Sequence, residues 1–179
     1  RDGLSLGEAA GTLILERTDT SQFGDLFYKG GASANDANHI SGPSRTGEGS
    51  YIAIQNAMAE AGLQPDEIDH INAHGTATRY NDDMESIAIK RSGLQHAPVN
   101  SFKGSWGHTL GAAGIIETAA LIQSMKENTV LPTAGFETAG TTEHIEMNKK
   151  PVSTPLKACL KLASGFGGCN AALIIQKSI

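Results

Sequence analysis

The sequence has few cysteines, few aromatic residues and no block of basic charge. Its two cysteines, Cys159 and Cys169, lack Cys-x-x-Cys spacing, which argues against a disulfide framework or a structural zinc site and favours a reducing cytoplasm. The net charge of −5 makes nucleic acid a poor partner. Every apolar run is too short to span a bilayer and no signal peptide is visible, so we expect a cytoplasmic protein without a membrane partner.

The composition is that of a folded domain. The chain has 179 residues, of which 39% are hydrophobic and 18% are charged, and this predicts a single packed domain over residues 1–179. Because the chain begins at Arg1 rather than at a methionine, we expect it to be a cleaved or trimmed part of a longer protein.

Hydrophobic periodicity predicts strands that alternate with helices. The predicted helices cover residues 50–61, 81–92 and 110–127. The predicted strands cover residues 10–16, 23–28, 68–73, 99–102, 158–163 and 171–176. Residues 30–44 and 138–155 are small or polar and are predicted to be loops. This alternation favours a mixed α/β layer structure.

Two histidines and a lysine fall on loops that follow predicted strands. His74 comes directly after one strand, while Lys103 and His108 share a glycine-rich loop after the next. A cation and an imidazole near a helix N-terminus can stabilise developing negative charge. The alternatives are that His74 is structural and that Lys103 is a solvated surface charge. Glu117, on the following predicted helix, either neutralises a partly buried lysine or faces solvent.

Metal binding and phosphate binding fit the sequence less well. His39, His74 and His108 lack the spacing of zinc ligands, so no metal site is predicted. The Gly-Phe-Gly-Gly run at residues 165–168 has no lysine and no following helix, unlike a phosphate-binding loop. It is interpreted either as a tight hairpin or as a source of a backbone N–H directed into a site.

Several motifs occur together in a single order. They are Arg1-Asp2-Gly3…Gly7-Glu8, His74-Gly75-Thr76-Ala77-Thr78…Asp82…Glu85, Lys103…Gly107-His108…Gly111-Ala112-Ala113-Gly114…Glu117 and Gly165-Phe166-Gly167-Gly168…Asn170. This series covers nearly the whole chain and resembles the C-terminal half of a β-ketoacyl-acyl carrier protein synthase of the thiolase superfamily. The resemblance implies a thiolase-like α/β fold, a mixed sheet covered by helices, in which this half packs against a similar N-terminal half.

The resemblance also implies an activity. In such enzymes an acyl group on a cysteine condenses with malonyl-acyl carrier protein by a decarboxylative Claisen reaction, in fatty acid, polyketide or polyene synthesis. The positions of His74 and His108 imply that they stabilise the malonyl enolate. The positions of Lys103 and Glu117 imply that they organise the site.

Three further residues receive roles from the resemblance. Thr76 and Thr78 would bind the phosphopantetheine arm that carries the substrates, and Phe166 would be a gating residue whose backbone N–H belongs to an oxyanion hole. No other cofactor is implied. The implied partners are acyl carrier protein, the chain's own N-terminal half, and a second subunit in a homodimer or in a heterodimer with a related synthase.

The sequence departs from the family pattern at several positions. The nucleophilic cysteine of the family precedes the Arg-Asp-Gly motif and would lie before Arg1, so this chain alone is predicted to be inactive. Cys169 occupies the place of a usual threonine and is interpreted as a small core residue. Phe102 and Trp106 replace smaller residues, which indicates a divergent member.

A second interpretation keeps the fold but not the chemistry. The chain would then belong to a non-catalytic subunit that pairs with an active synthase, as chain-length factors do. The presence of His74, Lys103 and His108 argues against this alternative, because such subunits often lose these residues.

Overall fold

The computed structural model describes residues 3–17, 26–36 and 42–178. The strands are β1 Leu26–Asn35, β2 His70–Asn72, β3 Val99–Asn100, β4 Thr129–Val130, β5 Val152–Ser153, β6 Ala158–Ser164 and β7 Cys169–Lys177. The helices are α1 Glu48–Ala61, α2 Arg79–Arg91, α3 Lys103–Trp106 and α4 Ala113–Glu127, with 3₁₀ turns at Pro65–Glu67 and Leu110–Ala112. None of the helices in these described ranges is long and apolar enough to cross a membrane.

A mixed five-stranded sheet carries the fold, as the sequence predicted. Its order is β1-β7-β6-β2-β3, with antiparallel pairing among β1, β7 and β6 and parallel pairing among β6, β2 and β3. The predicted strands at 68–73, 158–163 and 171–176 correspond to β2, β6 and β7. Because β2 and β3 are parallel neighbours, their carboxyl ends lie at the same edge of the sheet. The segments that follow them carry His74 and Lys103.

Two hydrophobic clusters lie on opposite faces of β6 and β7. Successive side chains of a strand alternate between the two faces. Leu160 and Ile174 therefore pack with α1 in one cluster, while Cys159 and Ile175 pack with α4 in the other. The antiparallel part of the sheet is thus covered by helices on both faces.

The three predicted helices are all present. α1 begins two residues earlier than predicted, at Glu48, and its C-terminal cap is Gly62 in the left-handed region with φ of 68°. α2 also begins earlier, at Arg79. The predicted third helix begins as the 3₁₀ turn Leu110–Ala112 and continues as α4, which is capped by Asn128 with φ of 49°.

The glycine-rich start of the predicted 30–44 loop belongs to a strand instead. β1 continues through Asn35, and Gly30 pairs with Ile174 of β7. A Cβ atom at Gly30 would lie 2.5 Å from the Ala57 carbonyl oxygen of α1. The glycine therefore permits helix–sheet contact rather than a turn, which is why the loop prediction was wrong. Residues 37–41, which include His39, and residues 23–25 of a predicted strand lie outside the described residues.

The predicted strand at residues 10–16 is also wrong. These residues adopt no regular structure, and Ile14 and Leu15 are 84% and 79% exposed. An apolar run indicates a preference for burial, but it does not supply a neighbouring strand with which to pair. The predicted 99–102 strand stops at Asn100, because Phe102 is already the N-terminal cap of α3.

Acid should destabilise this fold through His70. The His70 side chain is fully buried in β2, Nδ1 lies 2.8 Å from the Pro98 carbonyl oxygen, and burial lowers its pKa from 6.5 to about 4. The unfolded chain therefore binds a proton that the folded chain excludes, so stability falls as the pH drops from about 6.5 to about 4, by about 3 kcal/mol. The free energy of urea unfolding, measured across this pH range, tests this.

The matched variant is His70→Asn, whose amide N–H can still donate to the Pro98 carbonyl but takes up no proton. Its unfolding free energy should depend less on pH over the same range. Superimposable acid curves for the two proteins would show that His70 is not the group responsible.

Candidate active site

His74 lies just beyond β2 and is almost fully buried. Glu85 of α2 holds the backbone at this point, because its carboxylate accepts the N–H groups of His74 and Gly75, each at 2.7 Å. Asn81 Nδ2 donates a third hydrogen bond to the same carboxylate, at 2.7 Å. Burial raises the pKa of Glu85, and the two backbone N–H groups oppose this effect. Glu85 was not predicted to be a site residue, although an acidic residue on the buried side of an amphipathic helix was a usable signal.

The Lys103 ammonium group connects His74 with Glu117. Lys103 Nζ donates to the His74 carbonyl oxygen at 2.5 Å, lies 3.3 Å from His74 Nδ1 and donates to Glu117 Oε1 at 2.6 Å. Lys103 is 7% exposed and Glu117 is 1% exposed. A solvated Lys103 and a solvent-facing Glu117 are therefore excluded. Glu117 lies where it neutralises a buried lysine.

A second lysine reaches the same carboxylate. Lys161 Nζ, from β6, lies 2.6 Å from Glu117 Oε2 and donates to the Leu162 carbonyl oxygen at 2.6 Å. Burial lowers the pKa of Lys161, and the Glu117 charge raises it. Residues 158–163 were predicted only as a strand, and Lys161 was not predicted to be a site residue. The available signal was a single lysine in the middle of a strand whose other residues are apolar.

The loop that carries His108 is held by the N-terminal segment. The His108 N–H donates to the Ser5 carbonyl oxygen at 2.7 Å, and the Gly7 N–H donates to the His108 carbonyl oxygen at 3.0 Å. A Cβ atom at Gly7 would lie only 2.0 Å from the Trp106 carbonyl oxygen, so a larger residue would push the two segments apart. Gly107 has a positive φ of 81°, which only glycine adopts readily.

The imidazole rings of His74 and His108 meet edge to face. Their centroids are 5.0 Å apart and their planes differ by 80°. His108 Nδ1 accepts the Leu110 N–H at 3.1 Å, and His74 Nδ1 faces the Lys103 ammonium group. Since Nδ1 acts as the acceptor in both rings, each neutral ring carries its proton on Nε2.

Burial and nearby positive charge keep both rings neutral. Burial is the main cause that lowers the pKa of His74 to about 2, and Lys103 and Lys161 lower it further. Burial also lowers the pKa of His108, with a contribution from the same two lysines against the opposing charge of Glu117. Two adjacent neutral N–H donors are suited to stabilising an oxyanion, and unsuited to delivering a proton as imidazolium.

The two threonines after His74 are adjacent in space. The Thr76 and Thr78 hydroxyl oxygens are 2.7 Å apart and share a hydrogen bond. Thr76 is buried and also lines a pocket of about 920 Å³, together with Ser101, Lys103 and Trp106. The described walls of this pocket do not include the rings of His74 or His108. Among the described residues, no group of three or more His, Cys, Asp or Glu side chains is arranged to hold a metal ion.

Phe166 lies in the turn between β6 and β7. The Gly165 N–H donates to the Cys169 carbonyl oxygen at 2.8 Å, so the tight-hairpin interpretation of this turn is confirmed. The Phe166 side chain is 85% exposed. Asp36 anchors the turn with two hydrogen bonds. Its carboxylate accepts a hydrogen bond from Asn170 Nδ2 at 3.2 Å, and its N–H donates to the Gly168 carbonyl oxygen at 2.8 Å.

The two cysteines differ in their environment. Cys159 is fully buried, and burial raises the pKa of its thiol, so it is a poor nucleophile. Cys169 is exposed at the start of β7, so its interpretation as a core residue was wrong. Because successive side chains of a strand point to opposite faces of the sheet, Cys169 and the next residue, the buried Asn170, lie on different faces of β7.

Comparison with known proteins agrees with this arrangement. Residues 27–137 match the family described as "Beta-ketoacyl synthase, C-terminal domain". The chain belongs to this family. As a β-ketoacyl synthase C-terminal domain, it contains the histidine and lysine loops that the structure brings together.

Two named relatives extend this finding. The domain is 36% identical over 98% of its length to the polyketide biosynthesis malonyl-ACP decarboxylase PksF of Bacillus subtilis, covering 43% of that protein. It is 35% identical over 99% of its length to 3-oxoacyl-[acyl-carrier-protein] synthase 2 of Staphylococcus aureus, covering 45% of it. The chain thus spans less than half the length of these relatives.

The thiolase-like fold predicted from the resemblance is confirmed by a solved ketosynthase. A type II polyketide ketosynthase, determined in complex with its acyl carrier protein, superposes with a TM-score of 0.80 at 32% identity. The match covers 85% of this domain and 38% of that chain.

Proposed function

We propose that the complete protein is a β-ketoacyl-acyl carrier protein synthase and that this domain supplies its carbanion-stabilising groups. The observation that carries the proposal is the pair of neutral imidazoles, His74 and His108, whose centroids lie 5.0 Å apart and whose Nδ1 atoms are both engaged. Their Nε2–H groups are therefore available as a pair of donors to one thioester oxygen. The similarity to a malonyl-ACP decarboxylase and to a 3-oxoacyl-ACP synthase supports the same chemistry.

The reaction balances without a further reactant. The bond between the malonyl carboxylate and the α-carbon breaks, carbon dioxide leaves, and the electron pair passes into the thioester as an enolate. His74 and His108 donate to the enolate oxygen, where the negative charge develops. The α-carbon then attacks the acyl thioester, a carbon–carbon bond forms, and the cysteine thiolate leaves.

Other residues of the domain prepare this step. The Lys103 ammonium orients His74 through its carbonyl oxygen and Nδ1, and Glu117 holds Lys103 in place. The Thr76 and Thr78 hydroxyls bind the phosphopantetheine arm. The backbone N–H of Phe166, in the anchored hairpin, donates to the oxyanion that forms when the acyl thioester is attacked.

We expect the acyl group to be carried by a cysteine other than Cys159, whose buried thiol is a poor nucleophile, and other than Cys169, which occupies a threonine position of the family motif. We expect the complete protein to act in the cytoplasm on acyl carrier protein substrates. We also expect it to form a homodimer, or a heterodimer with a related synthase.

The proposal is tested with the complete gene product. It should release carbon dioxide from radiolabelled malonyl-acyl carrier protein and, when primed with an acyl-carrier protein, form a 3-oxoacyl product longer by the two malonyl carbons. In a parallel incubation with radiolabelled acyl-carrier protein as the primer, label should appear on a cysteine other than Cys159 or Cys169. A gene product that releases no carbon dioxide, takes no label and co-purifies with a second synthase would instead be the non-catalytic partner.

A further inference from the structure

Strand β6 is buried on both faces where it carries Lys161. Lys161 is 3% exposed, and its neighbours Leu160 and Leu162 are buried as well. A buried ammonium group is costly unless it is paired. Lys161 meets this requirement through Glu117 Oε2 and the Leu162 carbonyl oxygen, each 2.6 Å from Nζ.

The partner of Lys161 already neutralises another lysine. Glu117 Oε1 is bound by Lys103, so this carboxylate is shared between two ammonium groups. A second buried carboxyl group, that of Glu85, accepts three hydrogen bonds next to His74; burial raises its pKa, and the two backbone donors oppose this effect. Two lysine side chains, Lys103 and Lys161, therefore share the single carboxylate of Glu117 close to His74.

We propose that Lys161 is a positioning residue for the histidine pair: its buried ammonium group, held by Glu117, adds a second positive charge beside the rings and so keeps His74 and His108 as uncharged donors. The inference rests on the proposed function, since its consequence is expressed in malonyl decarboxylation. Without Lys161 the cluster loses one positive charge, which makes imidazolium less unfavourable relative to the neutral ring. The positive charges that lower the pKa of both histidines include Lys161.

Among the described residues, the ionisable groups nearest the histidines come from four elements. Lys103 belongs to α3, Glu117 to α4, Lys161 to β6, and Glu85, with Asp82 near it, to α2. Lys103 and Glu85 both contact His74 or the backbone that carries it, whereas Lys161 contacts neither. Of the two lysines, Lys161 is therefore the one whose charge can be removed without removing a direct hydrogen bond to His74.

The experiment compares Lys161→Met and Lys161→Gln with the charge-retaining Lys161→Arg in the complete gene product. The Gln variant keeps a donor for the Leu162 carbonyl oxygen and preserves folding if Met does not. In the two neutral variants, we expect the fall of kcat for malonyl decarboxylation on the acidic side of the pH–rate profile, its acidic limb, to occur at a pH higher by about one unit. KM should change less than about twofold. Lys161→Arg should keep the acidic limb of the unchanged protein.

A double variant decides whether charge is the cause. Lys161→Met combined with Glu117→Gln removes one charge of each sign, so the acidic limb should return toward that of the unchanged protein. An acidic limb that stays in place in Lys161→Gln, or that does not return in the double variant, would overturn the inference.

Histidine NMR titration gives a readout that does not depend on turnover. In Lys161→Gln the pKa of His108 should rise, whether or not the protein decarboxylates malonyl thioesters. An inactive unchanged protein with this rise in pKa would refute the proposed function and retain the electrostatic role of Lys161. An active protein in which the pKa of His108 does not rise would retain the proposed function and refute the electrostatic role of Lys161.

Discussion

Replacing His108 with alanine should lower the rate of malonyl decarboxylation by about 10²- to 10³-fold, the usual cost of removing one donor to a developing oxyanion. His108 is only half-buried, and its backbone is held by Ser5 and Gly7 rather than by its ring, so the variant should fold. The loss should fall mainly on kcat, because the negative charge on the thioester oxygen develops in the transition state. Release of labelled carbon dioxide by the complete gene product measures it.

Two control variants sharpen this result. His108→Gln offers an amide N–H close to the position of Nε2 and should keep more activity than His108→Ala. His96→Ala removes an exposed histidine between α2 and β3 and should leave the rate unchanged. Burial lowers the pKa of His108, so the activity of the unchanged protein should fall with acid only below about pH 6.5. Equal rates for the His108 variants and the unchanged protein would remove this ring from the mechanism.

The outline of the site could be predicted because it depends on strand order along the chain. A histidine or lysine that follows a buried strand projects from one end of that strand, and parallel neighbours bring such ends together. The sequence therefore predicted that His74 and Lys103 lie on loops that follow strands, and the parallel pairing of β2 and β3 in the structure puts both loops at one edge of the sheet. It could not give the orientation of the rings, which depends on Leu110 and on the Lys103 ammonium group.

The residues that were missed depend on contacts between distant parts of the chain. Lys161 of β6 pairs with Glu117 of α4, and the sequence around either residue does not indicate which residue it will contact. Glu85 acts on the backbone of His74 and Gly75, so its function is visible only when α2 has packed beside β2. Local periodicity describes which face of an element is buried, but a buried charge is defined by its partner.

The errors in the fold have the same origin. Gly30 was predicted to be in a loop because glycine is common in turns, yet here it lets α1 approach β1. Leu13, Ile14 and Leu15 were predicted to form a buried strand because they are apolar, yet the described structure leaves Ile14 and Leu15 exposed. In both cases the residue type was interpreted correctly as a packing preference, while the packing partner was not encoded nearby.

Glu117→Gln should lower the free energy of unfolding by about 3–5 kcal/mol, the typical cost of leaving a buried charge without its partner. The carboxylate is 1% exposed and binds two ammonium groups, Lys103 and Lys161, each at 2.6 Å. The amide keeps the shape of the side chain but removes the charge that both lysines need. Urea unfolding of the complete gene product at neutral pH measures the loss.

The pH dependence of this loss identifies its cause. Burial already lowers the pKa of Lys161, and only Glu117 and Glu85 oppose that effect. Without Glu117 the pKa of Lys161 in the folded state falls further below its unfolded value, so the folded variant binds fewer protons than the unfolded chain. Its stability should therefore rise with pH towards about pH 10, and the deficit relative to the unchanged protein should shrink.

The double variant Glu117→Gln/Lys161→Met removes one of the two lysine charges left without a partner and should recover part of the loss even at neutral pH. A deficit that is constant between about pH 7 and about pH 9, and unchanged in the double variant, would mean that Glu117 acts through packing and not through its charge.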